Sequence, residues 1–122
     1  MSMARAKIAE SVGRQAVIEA RGADAARDVI ATAVRYLLQE LAASVPGNSV
    51  EVRVPPFAAV QCVEGPGHTR GTPPNVVEMS PAVWLALATG ERMWGEALAS
   101  GEVQASGSRA DLSAYLPVLT LG

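Results

Sequence analysis

Val50-Glu-Val-Arg-Val-Pro-Pro-Phe-Ala-Ala-Val-Gln-Cys-Val63 is the stretch that decides the fold class. Val50, Val52 and Val54 alternate with Glu51 and Arg53, the period of a strand with one buried face and one wet face. Pro55-Pro56 stops that strand, because proline has no N–H to give to a ladder. Phe57 to Val63 then reads as a second strand. Ala58, Val60 and Cys62 share one of its faces, and Phe57, Ala59, Gln61 and Val63 the other. Apolar residues on both faces predict a central place in the sheet. So short a link joins antiparallel neighbours, since a parallel crossover needs a dozen residues or more.

Upstream of this pair the period changes to that of a helix. Ala26, Val29, Ile30, Ala33, Val34, Leu37, Leu38 and Leu41 recur at i, i+3, i+4 and i+7. Asp24 is the expected N-cap, and Pro46-Gly47-Asn48 ends the run with turn chemistry. A stripe that wide must be buried against something large. Ala4 to Ala20 has good helix propensity and only a thin apolar stripe, so it reads as a surface helix or a partly ordered arm. The expected division is an arm over residues 1–23 and one domain over 24–122.

Downstream, Glu64 to Pro74 is rich in Gly and Pro and reads as a long loop, a kind often tied to function. Val76-Val77-Glu78-Met79 is a third strand. Ser80-Pro81 opens a helix, with the hydroxyl as cap and proline at the first helical position. Trp84, Leu85, Leu87 and Ala88 are its apolar face. A second short helix carries Met93, Trp94, Ala97 and Leu98. Glu102 to Ser106 alternates as a fourth strand. Ser108, with Asp111 three residues on, predicts a last helix with Leu112, Tyr115, Leu116 and Leu119 on one side. The fold class is α+β: a small, mainly antiparallel sheet covered on one face by helices.

Composition bounds the function. A chain of 122 residues, 49% hydrophobic and 18% charged, is one globular domain. A net charge of −2 excludes a nucleic-acid binder working by bulk electrostatics. One Cys and one His form no disulfide within the chain and no zinc site of the usual kind, so neither a metal nor another cofactor is expected. No apolar run approaches the ~20 residues of a transmembrane segment. Met1 to Ser11 lacks the apolar stretch of a signal peptide, so the expected compartment is cytoplasmic.

The run from Ser80 to Leu119 resembles the C-terminal half of the sterol carrier protein fold. It has a helix ending Leu87-Ala-Thr-Gly90, a helix ending Ala99-Ser-Gly101, a short strand, Gly107 and a final helix. Arg53-Val-Pro-Pro-Phe-Ala-Ala-Val-Gln-Cys62 and His68-Thr-Arg-Gly-Thr-Pro-Pro-Asn-Val-Val-Glu78 look like the bacterial branch of that superfamily. The resemblance covers roughly residues 24–119. It implies an antiparallel sheet under helices, with an apolar tunnel between them for a sterol, a fatty acid or an acyl thioester. Similar domains also occur in thiol-dependent isomerases.

Two sets of residues are candidates for such a site. Val60, Cys62, Val77, Met79, Trp84, Leu85, Met93, Trp94, Leu98, Tyr115 and Leu116 form the apolar set, which either lines a pocket or fills a core. His68, Arg70, Asn75 and Glu78, joined by Arg53, form the polar set. An Arg fork suits a carboxylate or phosphate head, but the same residues could instead staple the loop by hydrogen bonds. Cys62 beside His68 invites a nucleophile–base reading, yet a thiol on an apolar strand face is expected to be inert. Gly65 to Gly71 fails as a dinucleotide fingerprint, because its third Gly is one residue too far along and a strand comes next where a helix should. The reading is non-catalytic binding of an apolar or amphipathic ligand. The alternatives are an accessory domain of a thiol-dependent enzyme and a structural homodimerisation domain.

Overall fold

The structure, a computed structural model, describes residues 7–66 and 74–121. Two helices come first, α1 (Glu10–Ala20) and α2 (Arg27–Ser44). The hairpin of β1 (Val50–Val54) and β2 (Ala58–Cys62) is next, then β3 (Val76–Met79). Helices α3 (Pro81–Ala88) and α4 (Trp94–Ala99) lead to β4 (Val103–Ser106) and a 3-10 turn at Ser113–Tyr115.

The strands lie in the order β2-β1-β3-β4. β1 is antiparallel to β2 and β3 is antiparallel to β4, but the central pair β1 and β3 is parallel. The sheet is therefore mixed, and mostly antiparallel as expected. The valine alternation works as read: Val50, Val52 and Val54 are fully buried on the helical side. Val77 and Met79 continue that buried face, while Glu51, Arg53 and Glu78 share the opposite face.

β2 is an edge strand, not a central one. Its outer side chains are only Ala59 and Gln61, both exposed. Small residues on both faces gave a false sign of double burial, because alanine fits a wet face as readily as a dry one.

α2 carries the core on a face wider than a single stripe. Ala33, Val34, Leu37, Leu38 and Leu41 are fully buried, and Tyr36 is 3% exposed. Trp84 of α3 packs under this helix, and its indole N–H donates to the Val34 carbonyl at 3.3 Å. That bond removes the cost of burying the one polar atom of the side chain. The N-cap of α2 is Ala26 rather than Asp24, so no side chain caps it. Ser80 caps α3 as expected, accepting the Val83 N–H at 3.3 Å.

The final helix does not form. Asp111 accepts the Ser113 N–H at 2.8 Å instead of reaching back to a cap, and only the 3-10 turn results. Leu116-Pro117 then leaves the helical path in an extended conformation.

α1 is held as a helix by close approach to α2. Gly13, Ala16 and Val17 are buried there, and the missing Cβ of Gly13 leaves room for the ring of Tyr36. No helix of the described residues is long and apolar enough to cross a membrane.

Candidate ligand-binding site

A groove of about 630 Å³ opens where the end of α1, the start of α2, the Pro55-Pro56 turn and the start of α3 meet. Each wall arises from a local feature of the sequence. Arg21 and Gly22 end α1 and turn the chain, so Ala20 and Ala25 both line the groove. Ile30 lies one turn into α2. The two prolines bend the hairpin, so Phe57 leaves the strand and turns its ring toward α2. Ser80 and Pro81 start α3 there and bring Leu85 and Ala86 into the wall. The volume suits a small-molecule site, as does a mostly apolar lining with a few polar groups.

Arg27 stacks over the Phe57 ring, 5.0 Å from its centroid. Such a cation–π contact holds the guanidinium at the rim while leaving its N–H groups for an anion. Arg21 lies on the other side, paired with Glu91 at 3.2 Å. Both partners of that pair are about half exposed, so water screens it strongly. Thr89 is engaged within α3, its hydroxyl donating to the Leu85 carbonyl at 2.7 Å. The result is an apolar trough with two guanidinium groups and one carboxylate at its edge.

The residues expected from the sequence fall in several places. Leu85 lines this groove. Val60 lines a separate groove along β2. Val77, Met79, Trp84 and Trp94 are packed in the core, with Cys62 among them. Tyr115 and Leu116 are partly buried against that core, whereas Met93 and Leu98 are exposed. The apolar set is thus not brought together around one cavity.

The polar set divides too. Arg53 and Glu78 are register partners on the sheet face away from the helices, and Arg53 pairs with Glu51. Asn75 is 3% exposed and its amide is engaged at both ends. It donates to the Ser49 carbonyl at 2.7 Å and accepts the Arg109 N–H at 2.9 Å. His68 and Arg70 lie outside the described residues. The described flanks of their loop sit beside Val50, at the end of the sheet opposite the Pro55-Pro56 turn.

The pairing of Cys62 with His68 falls partly outside the described residues, but the thiol itself is clear. Burial pushes it up to about 11, so it is protonated at neutral pH. Arg21, Arg27, Ile30 and Phe57 line the groove without belonging to either set read from the sequence. Their one signal is Phe57, the chain's single phenylalanine, set directly after two prolines. The convergence of four segments on it is a tertiary fact with no local pattern.

No curated protein matches the chain. A protein family does: its description is bacterial SCP ortholog, and the match runs over residues 26–118, from the start of α2 to just past the 3-10 turn. Covering most of the chain, the match agrees with a sheet whose buried face lies under helices, and the protein belongs to this bacterial family of sterol carrier protein orthologs.

Proposed function

We propose that the chain binds one amphipathic ligand with an anionic head, a fatty acid or an acyl thioester, in the groove between α1, α2 and α3. It does no chemistry on that ligand. The observation that carries this reading is the apolar trough with Arg21 and Arg27 at its rim, in a member of a sterol carrier family. The tail would lie against Ile30, Phe57 and Leu85, and the head would take the fork of Arg27. An uncharged sterol would use the same walls without the fork. The protonated, buried thiol of Cys62 supports the non-catalytic part, since a nucleophilic cysteine needs its thiolate.

Titration with sodium oleate, monitored by amide chemical shifts, tests the proposal. Shifts should centre on Ile30, Leu85 and Ala86. Arg27→Gln should weaken oleate by about tenfold or more, the loss of one charged hydrogen bond. Leu85→Trp should fill the trough and abolish binding. Shifts confined to other surfaces, or none at all, would sink the reading. A role for Arg53 as the anchor is a separate proposal, on the other face of the sheet. It stands only if Arg53→Ala weakens oleate as much as Arg27→Gln does.

A further inference from the structure

β2 closes one side of the sheet, and the direction of its backbone groups can be worked out residue by residue. The Glu51 N–H donates to the Asn75 carbonyl at 2.9 Å, so Glu51 bonds toward β3. Its neighbours Val50 and Val52 therefore bond toward β2, where their register partners are Cys62 and Val60. With the even-numbered residues of β2 bonded inward, Ala59 and Gln61 turn their N–H and C=O groups outward, in a row flanked by the Phe57 carbonyl and the Val63 N–H; the Phe57 N–H itself donates inward to the Val54 carbonyl at 3.0 Å. α2 and its end satisfy both extremes of that row. Arg35 donates to the Phe57 carbonyl at 3.3 Å, and the Val63 N–H donates to the Val45 carbonyl at 2.9 Å. Between them, the backbones of Ala59 and Gln61 have no partner among the described residues.

Natural sheets usually blunt such an edge with charge, proline or a covering segment. Ala58 to Cys62 carries no charge and no proline. Beside it runs a groove of about 900 Å³, lined by Leu38 and Phe57 and, from α1 and the segment before it, by Val12 and Ile8. Gln39 of α2 ties down the segment that carries Ile8. Its side-chain amide accepts the Ile8 N–H at 2.9 Å and donates to the Ile8 carbonyl at 3.0 Å. Val12 is left 57% exposed. The charged residues lining the groove are Lys7 and Arg35, with no carboxylate among them. Lys7 also borders Glu10 and Glu40, while Arg35 borders Arg27 and Asp28 beside Phe57, which leaves that end of the groove with a positive excess.

We propose that this edge binds an extended segment of a partner protein, which adds a strand to β2 through Ala59 and Gln61. The segment has apolar side chains at alternate positions, seated in the groove, and an acidic residue that meets Arg35 at the Phe57 end. This mode of recognition takes its affinity from main-chain hydrogen bonds and its choice of sequence from side-chain pockets. It lies beside the ligand groove between the helices and shares with it only Phe57, which borders both.

Selection of random octapeptides displayed on phage against the full chain tests the proposal. The selected peptides should alternate apolar residues and carry Asp or Glu near one end. A synthetic copy should slow hydrogen exchange of the Ala59 and Gln61 amides at least tenfold, whether or not oleate is present. Gln61→Pro removes one outward N–H at an edge, where proline is tolerated, and should weaken the peptide at least tenfold. Arg35→Gln should erase the preference for acidic residues. If Gln61→Pro melts below the parent, the exchange result decides alone. The proposal is overturned if no peptide is enriched, or if peptides protect other amides. It also fails if Ala59 and Gln61 exchange slowly in the dilute free chain, or become protected only as protein concentration rises, which would assign the edge to a second copy.

Discussion

Cys62 shows how burial sets the chemistry of one side chain. Its thiol is raised from 9.0 to about 11, with desolvation as the cause. Below pH 9 the thiol is neutral in both folded and unfolded chains. Above that the unfolded chain ionises first, so stability is lost as pH rises from 9 toward 11. The loss attributable to Cys62 should total ~2–3 kcal/mol. Cys62→Ala should flatten that part of a stability-against-pH curve measured by urea denaturation. A remainder at higher pH should persist, because Tyr36 is raised too, first by burial and then by Glu40 and Glu10. Asn75 is the second residue with a definite energetic role. Asn75→Ala would strand the Ser49 carbonyl and the Arg109 N–H, and should cost ~2–3 kcal/mol of folding stability. Loss of less than ~0.5 kcal/mol would show that the amide is not a structural bridge. At this scale the inertness of Cys62 was legible, because a strand's period places a side chain on a face. A stapling role for Asn75 was one of the two readings open to it, but its partners were not legible, because they lie 26 and 34 residues away.

Among the elements, α2 bears the largest share of the core. Leu38 is fully buried, so Leu38→Ala should cost ~2–5 kcal/mol in chemical denaturation. The contact of α1 with α2 gives a sharper test, because propensity and packing oppose each other there. Gly13→Ala should gain ~1 kcal/mol of helix propensity. The new methyl would, however, overlap ring atoms of Tyr36, which cannot swing aside as a flexible chain end could. Overpacking of that kind costs ~1–3 kcal/mol, so the variant should melt lower than the parent. A variant that melts higher would mean α1 is not seated against Tyr36. The elements with strong periods, α2, β1 and β3, were legible. What failed was the central place expected for β2, and the last helix. Pairing order depends on contacts far apart in sequence, and the Asp111 carboxylate had a closer partner in Ser113 than a helix cap.

For the whole molecule, the α+β class and the helices over one sheet face were legible in the succession of periods, and the family match over residues 26–118 agrees with them. The groove was not legible in that way. Its walls come from α1, α2, the Pro55-Pro56 turn and α3, and they meet only once α1 docks. The central claim is that this trough holds one anionic amphiphile, with Arg27 at its head. Native mass spectrometry of the chain incubated with sodium oleate tests it most directly. A single oleate adduct is expected on the parent chain, weakened by Arg27→Gln and absent in a folded Leu85→Trp variant. An adduct of equal abundance on all three proteins, or none on the parent, would contradict it.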